Sequence, residues 1–430
     1  MSSRSRILAA SVVTGLALPL ALTAPVVAAP EPPADPSGWG PVKTLAASPW
    51  GESLAVDARG TVTVVWSTGS AAGSVVALRR PAGGSWGDPV VIGHGTQPQV
   101  AADRRGAVTV VWLTERAGRT DGVAAARHPV RGRWTTPVRL TGDQATPYAA
   151  GEVVLDVNPD GDAVVAWASR DRRDRPWRVR SAYRPAGGPW SGPVAVTPTD
   201  GTRHPQVGID DEGRALLLLC RQRFGHPQVL RTQERSPDGS WTDPVVVTRA
   251  GYSPILAVDA SGDALVAFSP DFSGVAAAVR PAGGPWQRAR ALLPEGVEVA
   301  DFALAVNDSG AAVVALGRVN GRVDVVRRPA EGPWSASERV VAGGDTVYDV
   351  LVALDDAGDT FLGWGGYALL GAYQPGGGAW GEPATISPDA GVEVLESTHV
   401  RIAPTGDVAV LWKQEARPLK VRTMSAVPAR

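Results

Sequence analysis

The chain has 430 residues, and Gly (50) and Pro (37) make up about a fifth of it, against roughly 12% in average usage. A hydrophobic content of 44% can fill a core and excludes low-complexity disorder, and 42 basic against 43 acidic residues argue against a general polyanion binder. One Cys excludes an internal disulfide framework and any Cys-x-x-Cys metal or redox site, while 15 Trp against 6 Tyr and 5 Phe point to one structural slot filled repeatedly.

The N-terminus reads as an export signal. Arg4 and Arg6 form a basic start, Ile7 to Ala29 carries no charge, and Val26-Val27-Ala28 suits a signal-peptidase cut after Ala28. The expected organisation is a signal peptide at 1–28, a Pro-rich linker at 29–38, the folded domain at 39–425 and a tail at 426–430. Cleavage removes two Arg and no acid, leaving a net charge of −3. No later stretch reaches the roughly 18 apolar residues that span a bilayer, so no membrane span after cleavage and a secreted, extracellular location are expected. The only lysines are Lys43, Lys413 and Lys420, the Arg-rich usage expected of a GC-rich, actinobacterial genome.

Internal repeats fill the rest. A Gly-rich stretch, a Trp and a β-branched run recur at Trp39, Trp86, Trp134, Trp190, Trp241, Trp286, Trp334 and Trp380. A second marker, an Asp-x-x-Gly-type turn before an apolar run, has its glycines at 60, 106, 161, 213, 262, 310, 358 and 406. That run ends in Trp66, Trp112, Trp167, Trp364 and Trp412, with Cys220, Phe268 and Leu316 in the same slot elsewhere. Each unit holds four strand signals. In the second these are Gln99–Asp103, Ala107–Trp112, Gly122–His128 and Trp134–Leu140. Four short strands in roughly 48 residues, without helical periodicity, predict an all-β propeller of four-stranded blades. The count is eight blades, with seven as the alternative. The chain starts on a fourth-strand signal, Trp39–Leu45, and ends on first to third strands at Val400–Ala403, Asp407–Trp412 and Leu419–Met424. The N-terminal strand is therefore expected to close the ring. The turn Asp is expected to cap its turn, the second-strand Trp to pack between blades, and Cys220 to be a small buried hydrophobe.

The hairpins Arg80-Pro81-Ala82-Gly83-Gly84-Ser85-Trp86, Arg184-Pro185-Ala186-Gly187-Gly188-Pro189-Trp190 and Arg280-Pro281-Ala282-Gly283-Gly284-Pro285-Trp286 carry a resemblance. They look like degenerate copies of the Asp-box repeat of sialidase-type propellers, Ser-x-Asp-x-Gly-x-Thr-Trp, with Pro81, Pro185 and Pro281 at the Asp position. The resemblance spans the whole expected domain and implies a propeller. Sialidases are six-bladed, and their Asp boxes lie away from the active site, so the boxes imply no catalysis. The family's Arg triad, Tyr–Glu pair and acidic residue have no residue-by-residue match in this sequence. The broader resemblance is to secreted repeat proteins of actinobacteria.

Chemistry motifs are sparse. No P-loop, His-Glu-x-x-His or Gly-x-Ser-x-Gly is present. Gly376-x-Gly378-x-x-Gly381 lies in a hairpin with no helix after it. Asp156-x-Asn158-x-Asp160-Gly161-Asp162 resembles a calcium loop, but its twelfth position is Trp167 rather than a Glu. No metal and no cofactor are expected. The positional signal is stronger. Loops joining strand four to strand one, and strand two to strand three, share one face. They carry Trp50, Tyr148, His204, Tyr252 and Tyr348, and Arg116, Arg119, Arg170, Arg172, Arg173, Arg175, Trp177, Arg221, Arg223 and His226; His94, Phe224 and His399 fall there too. Aromatic faces stack on sugar rings, and Arg forks grip carboxylate or sulfate. The twelve candidate ligand contacts are Trp50, Arg116, Arg119, Tyr148, Arg172, Arg173, Trp177, His204, Arg223, His226, Tyr252 and Tyr348. The expected function is non-catalytic binding of an acidic glycan or an extracellular protein, by a chain able to act as a monomer and without nucleic acid. The alternative is a sialidase-like glycan hydrolase or lyase on the same face. It would draw on Asp143, Asp301, Asp345, Glu393 or Glu396 and need two carboxylates about 5–10 Å apart.

Overall fold

The computed structural model describes residues 38–424, apart from 48, 70–72, 117–118, 142–148, 171–175, 199, 222–227, 237–238, 345, 348, 366–367, 388–394 and 415–417. The described residues form short antiparallel strands joined by turns, in six four-stranded sheets and one of seven strands. The long strand Val245–Val258 belongs to two units. Its first half pairs with Gln228–Arg235 and its second with Ala264–Ser269. Among the described residues the four-stranded pattern thus recurs eight times, once per repeat, and the repeats are called units 1 to 8 below. Their first strands are Trp50–Val56, Thr96–Ala102, Ala149–Val157, Arg203–Ile209, the second half of Val245–Val258, Val299–Val306, Asp349–Leu354 and Leu395–Ile402. Each touches the first strand of the next unit, and the last touches the first.

The N-terminal segment completes unit 8. Lys43–Ala46 pairs antiparallel with Leu419–Met424. This strand is shorter than the expected Trp39–Leu45, and Trp39 makes a single bridge to Met424. Arg422 fixes the junction, donating to the carbonyls of Gly40 (2.7 Å) and Thr385 (2.9 Å). Fourth strands are also shorter than the sequence suggested. Within Trp134–Leu140 the strand covers Val138–Arg139, with Thr135 and Leu140 N–H groups donating to the Arg127 and Val123 carbonyls on either side of it. Pro137 has no N–H to give the ladder, and Pro193, Pro244 and Pro383 stand just before the fourth strands of units 3, 4 and 7.

The turn that ends each first strand sets the register. In unit 1 the Asp57 carboxylate accepts the N–H groups of Arg59 and Thr61, both at 2.9 Å, and Gly60 N–H donates to the Asp57 carbonyl. The same knot forms at Asp103, Asp210 and Asp259. All eight turn glycines have positive φ, as a tight turn with a bulge requires. Gly106 shows why substitution is costly, because with φ at 89° an added Cβ would lie 2.7 Å from an Asp57 carboxylate oxygen of the preceding unit.

Apolar packing then joins the units. Trp112 is 1% exposed and packs on Ala55, Val65, Val75 and Ala77 of unit 1, with its indole N–H on the His94 carbonyl (2.9 Å). Burying an aromatic ring of this size contributes on the order of 3 kcal/mol. Trp66 packs in the same way on Ala409, Leu411, Leu419 and Val421 of unit 8. Cys220 is buried in this slot, as expected, and burial pushes its thiol up to about 12, so it is inert.

A further rule places the polar residues. Residues two, four or six before the turn residue face the next unit. There they accept backbone N–H groups that the inner edge of a sheet would otherwise leave unmatched. Val100 N–H donates to Ser53 Oγ (3.2 Å), Ile209 N–H to Asp156 (3.0 Å), Leu256 N–H to Gln206 (2.8 Å) and Val350 N–H to Asp301 (2.8 Å).

Gly106→Ala is expected to lower stability by about 1–3 kcal/mol, read as a drop in the denaturant midpoint. An unchanged midpoint would refute the strain at this turn.

Candidate functional site

Register brings the start of each first strand, the end of the second, the start of the third and the end of the fourth to one edge. In unit 1, Trp50 lies opposite Ser67, Ser67 opposite Val75, and Ser74 opposite His94. The Asp turns and the Pro-Ala-Gly-Gly hairpins occupy the other edge. The candidate loops therefore share an edge within each unit.

Of the twelve candidate contacts, six are described. Trp50 is 51% exposed at the start of its strand. Arg116 and Arg119 are exposed and pair across a hairpin tip. Trp177, His204 and Tyr252 lie in units 3, 4 and 5. Tyr148, Arg172, Arg173, Arg223, His226 and Tyr348 lie outside the described residues.

Units 3 to 5 gather the densest chemistry. Trp177 carries two guanidinium groups against its ring, Arg170 at 4.9 Å and Arg203 at 4.5 Å from the centroid. Each contact contributes about 0.5–1 kcal/mol at an exposed site, and together they hold two forked cations side by side. Beside them, His204 sits 3.0 Å from Glu152 through Nδ1, and its backbone N–H donates to the other carboxylate oxygen at 2.7 Å. Burial pushes the Glu152 carboxyl up, but the His204 hydrogen bonds and charge outweigh it, so Glu152 lies below its ordinary value. In unit 5, Tyr252 stacks on Phe272 with centroids 3.6 Å apart, and Phe272 is 70% exposed.

Backbone strain marks the same place. Gln97, Glu152, His204 and Ser253 have φ between 48° and 52°, which side-chain-bearing residues rarely adopt. Each lies six residues before its turn residue, where the register with the second strand shifts. The bulge re-aims the first residue of each strand, Arg203 and Tyr252 among them.

Units 6 and 7 supply carboxyls at the equivalent level. Asp301 is pushed up by burial. Asp349 is pushed up to about 6 by burial and then by the charge of Asp301. Of the other acids considered for catalysis, Asp143, Asp345, Glu393 and the Glu396 side chain lie outside the described residues. In unit 8, burial and then the charge of Arg401 push His399 down to about 4, against a hydrogen bond to the Glu52 backbone.

The calcium-like segment is engaged otherwise. Asn158 accepts from Gly161 and Asp162 and donates to the Asp210 carbonyl, Asp160 pairs with Arg104, and Asp162 accepts Ala186 N–H. Among the described residues no group of three or more His, Cys, Asp or Glu is placed to hold a metal ion, and no helix is long and apolar enough to cross a membrane. A separate groove of about 680 Å³ opens between the outer strands of units 1 and 2. There Arg79 meets His128 (2.9 Å), and His128 stands edge-on to Trp134.

Sequence reasoning missed Arg203, Glu152, Phe272 and Asp349. Phe272 was findable as an aromatic in a two-to-three loop. The others start first strands, where a strand pattern gives no sign of a bulge.

No protein-family model matches the chain. No curated protein sequence matches it either. Solved structures do. A lectin from Burkholderia pseudomallei is similar with a TM-score of 0.53 and 16% identity, covering 80% of this chain and 100% of the lectin. A puromycin hydrolase is similar with a TM-score of 0.51 and 16% identity, covering 85% of this chain; the chain spans 58% of that hydrolase. A sialidase from Streptococcus pneumoniae aligns over 89% of this chain and 94% of its own, with a TM-score of 0.41 and 9% identity. At such identities the likeness concerns the fold alone, and the fold is a β-propeller.

The His399 pKa has a consequence for stability. Its folded value lies below the ordinary 6.5. Between pH 6.5 and 4 the unfolded chain takes up a proton that the folded chain refuses, so stability is lost as pH falls through that window. Asp156 and Asp349, raised to about 6, act in the opposite direction between pH 6 and 3.8. His399→Gln should therefore lose about 2 kcal/mol less than the parent between pH 7 and 5. Parallel melting curves for the two proteins would contradict the assignment.

Proposed function

We propose that the chain is an exported, non-catalytic eight-bladed propeller, closed by its N-terminal strand, that binds an acidic glycan on its strand-start face. The observation that carries this reading is the Arg170–Trp177–Arg203 group, which gathers two cations on one indole ring at this edge, a local positive charge that suits an anionic ligand. The exposed Tyr252–Phe272 stack in the next unit but one from Trp177 supplies an apolar platform for a sugar ring. The lectin likeness is consistent with this reading through the fold alone. Export rests on the N-terminal sequence. Arg172, Arg173, Tyr148, Arg223, His226 and Tyr348 are proposed contacts on the same face, with Trp50, Arg116, Arg119 and His204.

One observation favours a second reading, a glycan hydrolase or lyase. Asp301 and Asp349 lie on neighbouring first strands, and the charge of Asp301 raises Asp349. One member of such a pair stays protonated near pH 6 and can act as an acid while the other is ionised.

A glycan array probed at low and moderate salt tests both readings. Acidic glycans should bind with salt-sensitive affinity, and Trp177→Ala should weaken them about tenfold by releasing both guanidinium groups. Binding unchanged in Trp177→Ala would move the site, with the groove at Arg79 and Trp134 next in line. Shortening of a bound glycan, lost in Asp349→Asn, would establish the enzyme.

A further inference from the structure

The seams between units repeat the same positions, so one seam shows what another lacks. In the seam between units 6 and 7, Glu338 stands between Arg327 of unit 6 and Trp380 of unit 7. One carboxylate oxygen accepts the Trp380 indole N–H at 3.1 Å, and the other lies 3.9 Å from Arg327 Nε. Register assigns the same positions in the seam between units 1 and 2. Arg79 faces Thr63 as Arg327 faces Val313, and Val90 faces Ala77 as Glu338 faces Val325. Trp134, like Trp380, lies six residues beyond the end of a third strand. The cation and the indole are thus kept, while a shorter apolar side chain replaces the carboxylate. The groove of about 680 Å³ opens at this seam.

The polar groups of this groove lack the partners that their counterparts have. In the seam between units 4 and 5, the Trp286 indole N–H donates to Thr232 (2.8 Å). Beside Trp134, Ala77 holds the place of Thr232 and Val90 that of Glu338, and neither side chain accepts a hydrogen bond. In the seam between units 2 and 3, Arg127 pairs with Asp103 (3.5 Å), and Arg184 lies over Trp190 at 5.4 Å. Arg79 has no such pair: among the described residues no carboxylate comes within 4.0 Å of it, and Asp57 acts on it from further away. Its Nη1 lies 2.9 Å from His128 Nδ1, which is 2.7 Å from the Pro129 carbonyl. A proton on Nδ1 suits Pro129 and opposes Arg79, and a bare Nδ1 does the reverse. Burial and then the charge of Arg79 push His128 below its ordinary value, so the ring is neutral. Asp88 and Arg133, both exposed, also line the groove with opposite charges. Arg79 is left as the unmatched charge.

We propose that the groove between units 1 and 2 binds a small carboxylic acid with an apolar body, its carboxylate taking the place that Glu338 takes between units 6 and 7. The Arg79 guanidinium and the Trp134 N–H are its two donors. Val90, Val91 and Ile92 form the wall on which the body rests. Val90 and Val91 are 45% and 58% exposed, and the body would cover them. A neutral ligand would leave Arg79 unmatched, and a sugar would set hydroxyls against the two valines.

Calorimetric titration of the purified protein with hexanoate, hexanamide and acetate tests the site. Hexanoate should bind. Hexanamide lacks the charge and acetate lacks the apolar body, so each should bind at least about tenfold more weakly. Val90→Glu copies the seam between units 6 and 7, and its own carboxylate should exclude hexanoate. Unit 6 already carries Glu at this position, so an unchanged melting temperature is expected and separates occupancy from misfolding. Trp134→Phe keeps the ring without the N–H and should weaken hexanoate about fivefold. No hexanoate binding at millimolar concentration, equal binding of hexanamide or acetate, or undiminished binding by Val90→Glu would overturn the proposal. None of these readouts involves the strand-start face, so the proposal stands or falls apart from the glycan reading.

Discussion

The turn that ends each first strand is the constraint on which the rest of the molecule depends. A buried carboxylate accepts two N–H groups within five residues, while a glycine takes the positive φ that lets the chain reverse. Hydrogen bonds to a charged acceptor are among the stronger ones a protein makes. They fix where the second strand starts, and so the register of the whole unit. Asn158 and Asn307 keep the acceptor and add a donor, reaching the Asp210 and Asp355 carbonyls of the next unit. Unit 8 has Ala403 at this position, so its turn lacks the carboxylate acceptor; Ala403 N–H donates to the Asp407 carbonyl, Gly406 N–H to the Ala403 carbonyl and the Thr405 hydroxyl to the Asp407 carboxylate. This is also the unit that borrows its last strand from the N-terminus.

Fixed register converts a one-dimensional repeat into levels around an axis. Six residues before the turn, Gln97, Glu152, His204 and Ser253 carry the strained bulges. Asp301 and Asp349 stand at the same level in units 6 and 7. Units 3 to 5 thus gather guanidinium and aromatic groups around one carboxylate, Glu152, and the neighbouring units 6 and 7 carry Asp301 and Asp349. A repeat fold supplies this difference between units cheaply, because each level offers eight backbone-equivalent positions and packing constrains few of the side chains there.

Much of the fold was legible in particular residues. The turn glycines marked each reversal, and Trp66, Trp112 and Trp167 marked the seam between units, because one slot between packed sheets selects one large ring. The fourth strands were over-read, since a β-branched run such as Trp134–Leu140 looks extended even where Pro137 interrupts pairing. Of the site, Trp177, His204 and Tyr252 were legible as aromatics and a His at loop positions. Arg203 and Glu152 were not, because a residue in a strand gives no sign that a bulge turns it to the edge. The Asp156–Asp162 spacing resembles a calcium loop although no metal was expected there, and the Asp156 carboxylate caps the Ile209 N–H in the next unit.

By itself the sequence determined the repeat, its turns and the faces of its strands, because these depend on interactions within a few residues of chain. Only the tertiary structure decided which residues meet across units. Arg170 and Arg203 on one indole, and Asp301 beside Asp349, are separated by 33 and 48 residues. Their meeting depends on the curvature of the ring and on bulges whose residues, Gln97, Glu152, His204 and Ser253, share no side-chain type.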